Sequence, residues 1–217
     1  MQTEKFIQTP SAYYQNWDME AIFPTALVYA AIIYMTTQKV KLIILDIDGV
    51  MTDGKKYYNR RGDVEMKTFC DKDWTAIKRF IAIGIPVVFL TGDKTINEEV
   101  VKNRQLPIYF SRVNQITTPK ENFVQEFSEI FKCDSSEMVY LGDDLFDIGI
   151  MKSVGHPYCP ADSPAIVKKY STEISACGGQ NSVMVLFDTL EKENKIPFVS
   201  YDEIMNEIYK IDEREKF

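Results

Sequence analysis

The sequence predicts an α/β fold: a parallel sheet covered by helices on both faces. Three observations carry this. Short, uniformly apolar runs at 40–45 (VKLIIL), 85–90 (IPVVFL) and 138–141 (MVYL) read as strands buried on both sides. The stretches between them are long enough for crossover helices, which parallel neighbours require. Each run also ends at polar groups: Asp46-Ile47-Asp48-Gly49, Thr91-Gly92-Asp93 and Gly142-Asp143-Asp144. In such sheets ligands bind beyond the carboxyl ends of the strands.

The elements follow in order. After the first strand, alternating runs at 55–58 and 64–69 flank Asn59-Arg60-Arg61-Gly62-Asp63, a β-hairpin signature. A helix is expected over 73–83, with Gly84 as its C-terminal cap. Beyond the 85–90 strand come a helix at 95–104 and a short strand at 108–110. Pro119 sits in the first turn of a helix running to Phe131. After the third strand, helices are expected over 144–152, 164–169 and 183–194, with a last one at 201–211. His156 and Pro157 read as loop. Three segments result: an N-terminal extension (1–38), the main domain (39–190, hairpin 55–69) and an acidic C-terminal tail (191–217).

Charge and composition exclude several classes. The 25 Lys and Arg against 32 Asp and Glu give a net charge of −7, opposite to the basic surface that nucleic-acid binding needs. The four cysteines form no CxxC pair, which points to reduced thiols in the cytoplasm rather than a disulfide framework or zinc site. A lone histidine builds no histidine-rich metal centre. The apolar run 21–35 spans about 22 Å as a helix, short of a hydrocarbon core of about 30 Å, so no membrane span is expected. Its roles stay open: a helix on the domain or on a partner subunit, or a stretch upstream of a start at Met35.

The chemistry gathers at the strand ends. Asp46 and Asp48 follow the first strand, and Asp143 and Asp144 follow the third. Clustered carboxylates need a counter-charge. Hard oxygen ligands suit Mg²⁺ together with a substrate phosphate. A carboxylate is also a competent nucleophile in phosphoryl transfer, through an aspartyl phosphate. Thr91 and the Gly92 amide are candidate donors to the phosphoryl oxygens, and Lys120 is a candidate cation. Asp-x-Asp-Gly also opens calcium loops, but the remaining ligands of such a loop are absent.

The set Asp46-Ile47-Asp48-Gly49-Val50-Met51-Thr52-Asp53-Gly54, Thr91-Gly92, Lys120 and Tyr140-Leu141-Gly142-Asp143-Asp144-Leu145-Phe146-Asp147 resembles the haloacid dehalogenase superfamily of phosphatases. Within it, the pattern is similar to the 3-deoxy-D-manno-octulosonate 8-phosphate phosphatase family, which includes phosphatases of nine-carbon sugar acids. The likeness covers about residues 39–188. It implies a three-layer, Rossmann-like parallel sheet and Mg²⁺ as cofactor. Asp46 would be nucleophile and metal ligand. Asp48 would be general acid/base and would reach the metal through its carbonyl. Asp143 would be the further ligand, with Asp144 and Asp147 holding the shell. Thr91 would bind phosphate and Lys120 would neutralise it. Only 42 residues separate Asp48 from Thr91, so a large cap domain is absent. In the family four subunits assemble, and the hairpin of one closes the site of its neighbour.

The sequence departs from the family where the sugar is read. Asp93 replaces a basic residue, and Lys72-Asp73-Trp74-Thr75-Ala76 lacks both expected glycines. The helix arginine is out of register, so Lys102 or Arg104 would stand in. Asp93 resembles the nine-carbon acid phosphatases more and is expected to contact the sugar acid. The reading is therefore a magnesium-dependent phosphatase of a phosphorylated 2-keto-3-deoxy sugar acid, nine-carbon 9-phosphate ahead of octulosonate 8-phosphate. The alternative is a noncatalytic phosphatase-like assembly module.

Overall fold

The computed structural model describes residues 39–213, and the expectations for 1–38 lie outside them. Six parallel strands form one sheet in the order β10-β9-β8-β1-β4-β5. They are β1 (Leu42–Leu45), β4 (Val87–Thr91), β5 (Ile108–Phe110), β8 (Met138–Leu141), β9 (His156–Cys159) and β10 (Thr172–Glu173). β1 lies at the centre, with Ile44 opposite Val88 on one side and Tyr140 on the other. The two strands that end in acids are thus neighbours.

Period-two alternation divides each buried strand between two cores. Ile43, Leu45, Val87, Phe89, Val139 and Leu141 face one side. There the helices α1 (Asp71–Ala82), α5 (Ser182–Lys192) and α6 (Tyr201–Asp212) supply Phe80, Phe187 and Ile208. Leu42, Ile44, Val88, Leu90, Met138 and Tyr140 face the other side. That side is closed by Phe127 of α3 (Phe123–Phe131) and by Ile150 and Met151 of α4 (Ile148–Met151). Helix α2 (Asn97–Lys102) joins β4 to β5.

Three local expectations are corrected. His156 and Pro157 begin strand β9 instead of forming a loop. Proline is tolerated there because β10 pairs only with Tyr158 and Cys159, leaving Pro157 at an open edge. Of 164–169, only Val167–Lys169 is helical, as one 3₁₀ turn. The C-terminal segment is more than a solvated tail, since α6 buries Ile204 and Ile208. In the hairpin of β2 (Tyr57–Tyr58) and β3 (Val64–Met66), both tyrosines are exposed, and the register shifts between them.

Asp73, where the family glycines would follow, has a structural task. Its Oδ1 accepts from the N–H groups of Val183 (2.8 Å) and Met184 (3.3 Å), capping α5 from another helix. Burial pushes its carboxyl from 3.8 up to about 6, against the pull of those N–H groups. Asp73→Ala is expected to cost about 1–3 kcal/mol in urea denaturation at pH 7. The folded pKa lies above the unfolded one. The part of its contribution that depends on titration is therefore largest below the ordinary 3.8 and is lost as pH rises through about 6, while the capping bonds remain. Asp73→Asn keeps the acceptor and should flatten that stretch of the stability curve. An unchanged curve would contradict the assignment.

Candidate active site

β1 delivers Asp46 to the sheet edge, where two bonds fix its carboxylate. Oδ1 accepts from the Ile47 N–H (2.7 Å) and Oδ2 from Lys120 Nζ (2.7 Å). The chain then turns sharply, with the N–H groups of Val50, Met51 and Thr52 all directed at the Ile47 carbonyl. Gly49 at φ +83° is required twice over: its backbone is left-handed, and a Cβ there would lie 2.0 Å from Asp143 Oδ2. The absent side chain lets Asp143 come across from β8. Gly178 packs against the same turn, where a Cβ would lie 2.0 Å from the Gly49 carbonyl oxygen.

Lys120 is buried and donates three bonds, to Asp46, to Asp147 Oδ1 (2.6 Å) and to the Tyr140 hydroxyl (2.9 Å). Burial works against its charge, but Asp46 and Asp147 outweigh it and hold the ammonium above its ordinary range. Asp147 has both oxygens engaged. Oδ1 accepts from Lys120 and from the Tyr140 hydroxyl (2.6 Å), and Oδ2 from the N–H groups of Asp143 and Asp144 (2.9 Å each). Diverting these N–H groups explains why the helix expected from 144 opens as a 3₁₀ turn, Leu145–Asp147, before α4. Asp144 caps that turn through Leu145 N–H.

The carboxylates Asp46, Asp143 and Asp147 each place an oxygen within 4.8 Å of the others. Asp147 is fully bonded, so the open ligand capacity lies on Asp46 and Asp143. Asp143 Oδ1 is buried without a partner. Burial, with Asp46, Asp147 and Asp144 nearby, pushes the Asp143 carboxyl up to about 8. Burial likewise pushes Asp46 up to about 6; Lys120 offsets this and Asp147 adds to it. The pocket is short of positive charge, which a hard divalent cation would supply.

Asp48 sits across the cavity, held from the hairpin side. Lys67 Nζ lies 2.8 Å from its Oδ1 and donates to its Oδ2 (3.1 Å), and Asn97 Nδ2 donates weakly to the same Oδ2 (3.4 Å). Lys67 also reaches Asp93 and Asn97 (3.0 Å each). Asp93 pairs with Lys56 (2.5 Å) and accepts from Thr95 N–H. Burial opposes its charge, but Lys56, Thr95 N–H and Lys67 outweigh that and hold the carboxyl well below the usual range. The cations facing Asp93 are therefore Lys56 and Lys67, not Lys102 or Arg104.

A cavity of about 300 Å³ opens over this floor, lined by Asp46, Asp48, Thr91, Gly92, Lys120 and Asp143. Its walls carry Lys56, Asp93, Arg112, Thr117, Asp144 and Phe146. Lys102 and Arg104, expected to read the substrate, do not line it. Lys102 is tied to Glu98 (2.6 Å), and the Arg104 guanidinium stacks 4.0 Å over the Trp74 ring. Lys56, Lys67, Asn97 and Arg112 were not singled out from sequence. The only local signal for Lys67 was a lysine within the alternating second run of the hairpin.

The parallel sheet, the acid pair behind β1 and the lysine bridging two buried carboxylates define a phosphatase of the haloacid dehalogenase-like hydrolases, whose family model matches residues 94–187. Over 154 residues, 70% of this chain and 79% of the relative, the sequence is 30% identical to the 3-deoxy-D-manno-octulosonate 8-phosphate phosphatase of Yersinia pestis, and the chain belongs to that family. The solved structure of the Yersinia pestis phosphatase matches at 26% identity, with a TM-score of 0.64, covering 75% of this chain and 87% of that one. A phosphatase of the same name from Moraxella catarrhalis, solved with magnesium, phosphate and the sugar acid, shares the fold at 22% identity (TM-score 0.62, 75% of this chain and 93% of that one).

Proposed function

We propose that this phosphatase hydrolyses 3-deoxy-D-manno-octulosonate 8-phosphate in the cytoplasm, with Mg²⁺, through a phosphoryl group carried on Asp46. The observation that carries the reading is the Asp46 carboxylate held between Ile47 N–H and Lys120 at the cavity floor, 2.7 Å from each. The ion would be held by Asp46, Asp143 and the Asp48 carbonyl, and when bound it would neutralise charge on the phosphoryl oxygens.

The remaining steps belong to this chain. Thr91 and the Gly92 amide orient the phosphoryl group, and Lys120 offsets its charge. An Asp46 oxygen bonds to phosphorus as the bond to the sugar oxygen breaks. Asp48 gives that oxygen its proton, then takes one from the water that attacks phosphorus. The second attack frees inorganic phosphate and restores Asp46. Lys67 and Asn97 keep Asp48 aimed at the cavity.

The eight-carbon substrate is placed ahead of the nine-carbon one for two reasons. Asp93 is already matched by Lys56 and Lys67, which weakens the argument that it reads a nine-carbon sugar. The similar curated relatives carry the octulosonate name. Phosphate release from both sugar-acid phosphates, after chelation and after Mg²⁺ is added back, tests this. Activity should vanish with chelation, return with Mg²⁺ and favour the octulosonate ester. Undiminished turnover in excess chelator would contradict the metal reading, and preference for the nine-carbon ester would contradict the substrate.

The exposed hairpin, with Tyr57, Tyr58 and Met66 all open, is proposed to bury against a second subunit of a homotetramer. An isolated two-stranded hairpin is marginal in water. Light scattering should give four chains per particle, and a fully active monomer would exclude this assembly.

A further inference from the structure

Beyond the floor of the cavity, one wall is built by a second, smaller hairpin, β6 (Arg112–Val113) and β7 (Ile116–Thr117), placed directly after β5. It is a pinned structure. Ser111 N–H donates to the Thr91 carbonyl (2.9 Å), and Thr118 N–H donates to the Ser111 carbonyl (2.7 Å). The two turn residues, Asn114 and Gln115, both have positive φ (49° and 65°), the geometry of a tight two-residue hairpin turn. Arg112 stands opposite Thr117 in the register, so both side chains share one face, and both line the cavity. Val113 and Ile116, the other pair, are open to solvent.

Three cations line this cavity: Lys56, Arg112 and Lys120. Lys56 lies within 4 Å of Asp93 and Asp48, and Lys120 is bonded to Asp46 and Asp147. Arg112 has no carboxylate partner among the described residues. Its Nη2 lies 4.0 Å from the position a Cβ on Gly92 would take, so the guanidinium overhangs the Thr91-Gly92 turn.

We propose that Arg112 grips the carboxylate of the substrate and makes this enzyme selective for phosphorylated sugar acids over phosphorylated sugars that lack a carboxylate. The inference rests on the phosphatase reading above and deepens it. The charge of the phosphate is met at the floor by Lys120, leaving the second anion of a sugar-acid phosphate to be matched. A guanidinium suits it, since its planar donor fork fits a carboxylate with two parallel bonds. Mounting it on a short hairpin pinned to the end of β4 limits the backbone freedom lost on binding. Thr117, beside it, offers a hydroxyl to the sugar.

The test compares wild type, Arg112→Ala and Arg112→Lys on two substrate pairs: octulosonate 8-phosphate with an aryl phosphate, and 6-phosphogluconate with glucose 6-phosphate. Arg112→Ala should lower kcat/KM for the two acids roughly 10- to 100-fold, mainly through KM, and leave the two partners that lack a carboxylate within about twofold. Arg112→Lys should recover part of the loss. Equal losses on all four substrates would assign Arg112 to the phosphate or to the fold and overturn the proposal, as would no loss on the acids. If wild-type enzyme cleaves the octulosonate ester no faster than the aryl ester, the substrate reading fails by itself. The 6-phosphogluconate and glucose 6-phosphate pair then decides Arg112 independently.

Discussion

Asp46→Asn is expected to lower kcat by at least about 10³-fold while the protein stays folded. The amide forms no acyl phosphate and is a poor ligand for a hard cation. It still accepts from Ile47 N–H, so the turn after β1 keeps its bond. Replacing a carboxylate pushed up to about 6 by burial also removes a buried charge. Thermal melting should therefore show a change of no more than about 1–2 kcal/mol. Near-wild-type turnover from folded Asp46→Asn enzyme would remove Asp46 from the nucleophile's place.

Lys120→Met should fail in both activity and stability. It deletes the cation shared by Asp46 and Asp147 and leaves two buried carboxylates facing one another. The expected stability loss is about 3–5 kcal/mol, and the expected loss in kcat is about 10²–10³-fold. Lys120→Met combined with Asp147→Asn separates the two roles. Removing one carboxylate should restore a large part of the stability and none of the activity. Recovery of turnover in the double variant would show that Lys120 acts through the fold alone.

The legible parts of the fold were those governed by local pattern. β1, β4 and β8 are buried on both faces, so their apolar runs stand out. β10 has two exposed residues and gives no such signal, and β9 is masked by Pro157. Helix ends near the site were misplaced where polar side chains take the backbone's bonds, as Asp147 does with the N–H groups of Asp143 and Asp144. The carboxylates and Lys120 were readable because strand ends and helix starts place them. The cations of the walls were not. Lys67 reaches Asp48, Asp93 and Asn97 across sequence separations of 19 to 30 residues, and no local spacing encodes such a contact. Lys102 does not line the cavity, and helical phase accounts for that. Asn97 is the α2 residue that faces the site, and a position five residues on lies about 140° round the helix.

The most direct test of the central claim is to locate the phosphoryl group during turnover. Wild-type enzyme cleaving octulosonate 8-phosphate with Mg²⁺ would be acid-quenched in the steady state, and its peptides mapped by mass spectrometry. The expected result is one phosphoryl group on the peptide containing Asp46, lost on mild base treatment and absent from Asp46→Asn. A phosphoryl group mapped to any other residue, or the same labelling in Asp46→Asn, would contradict the proposed mechanism.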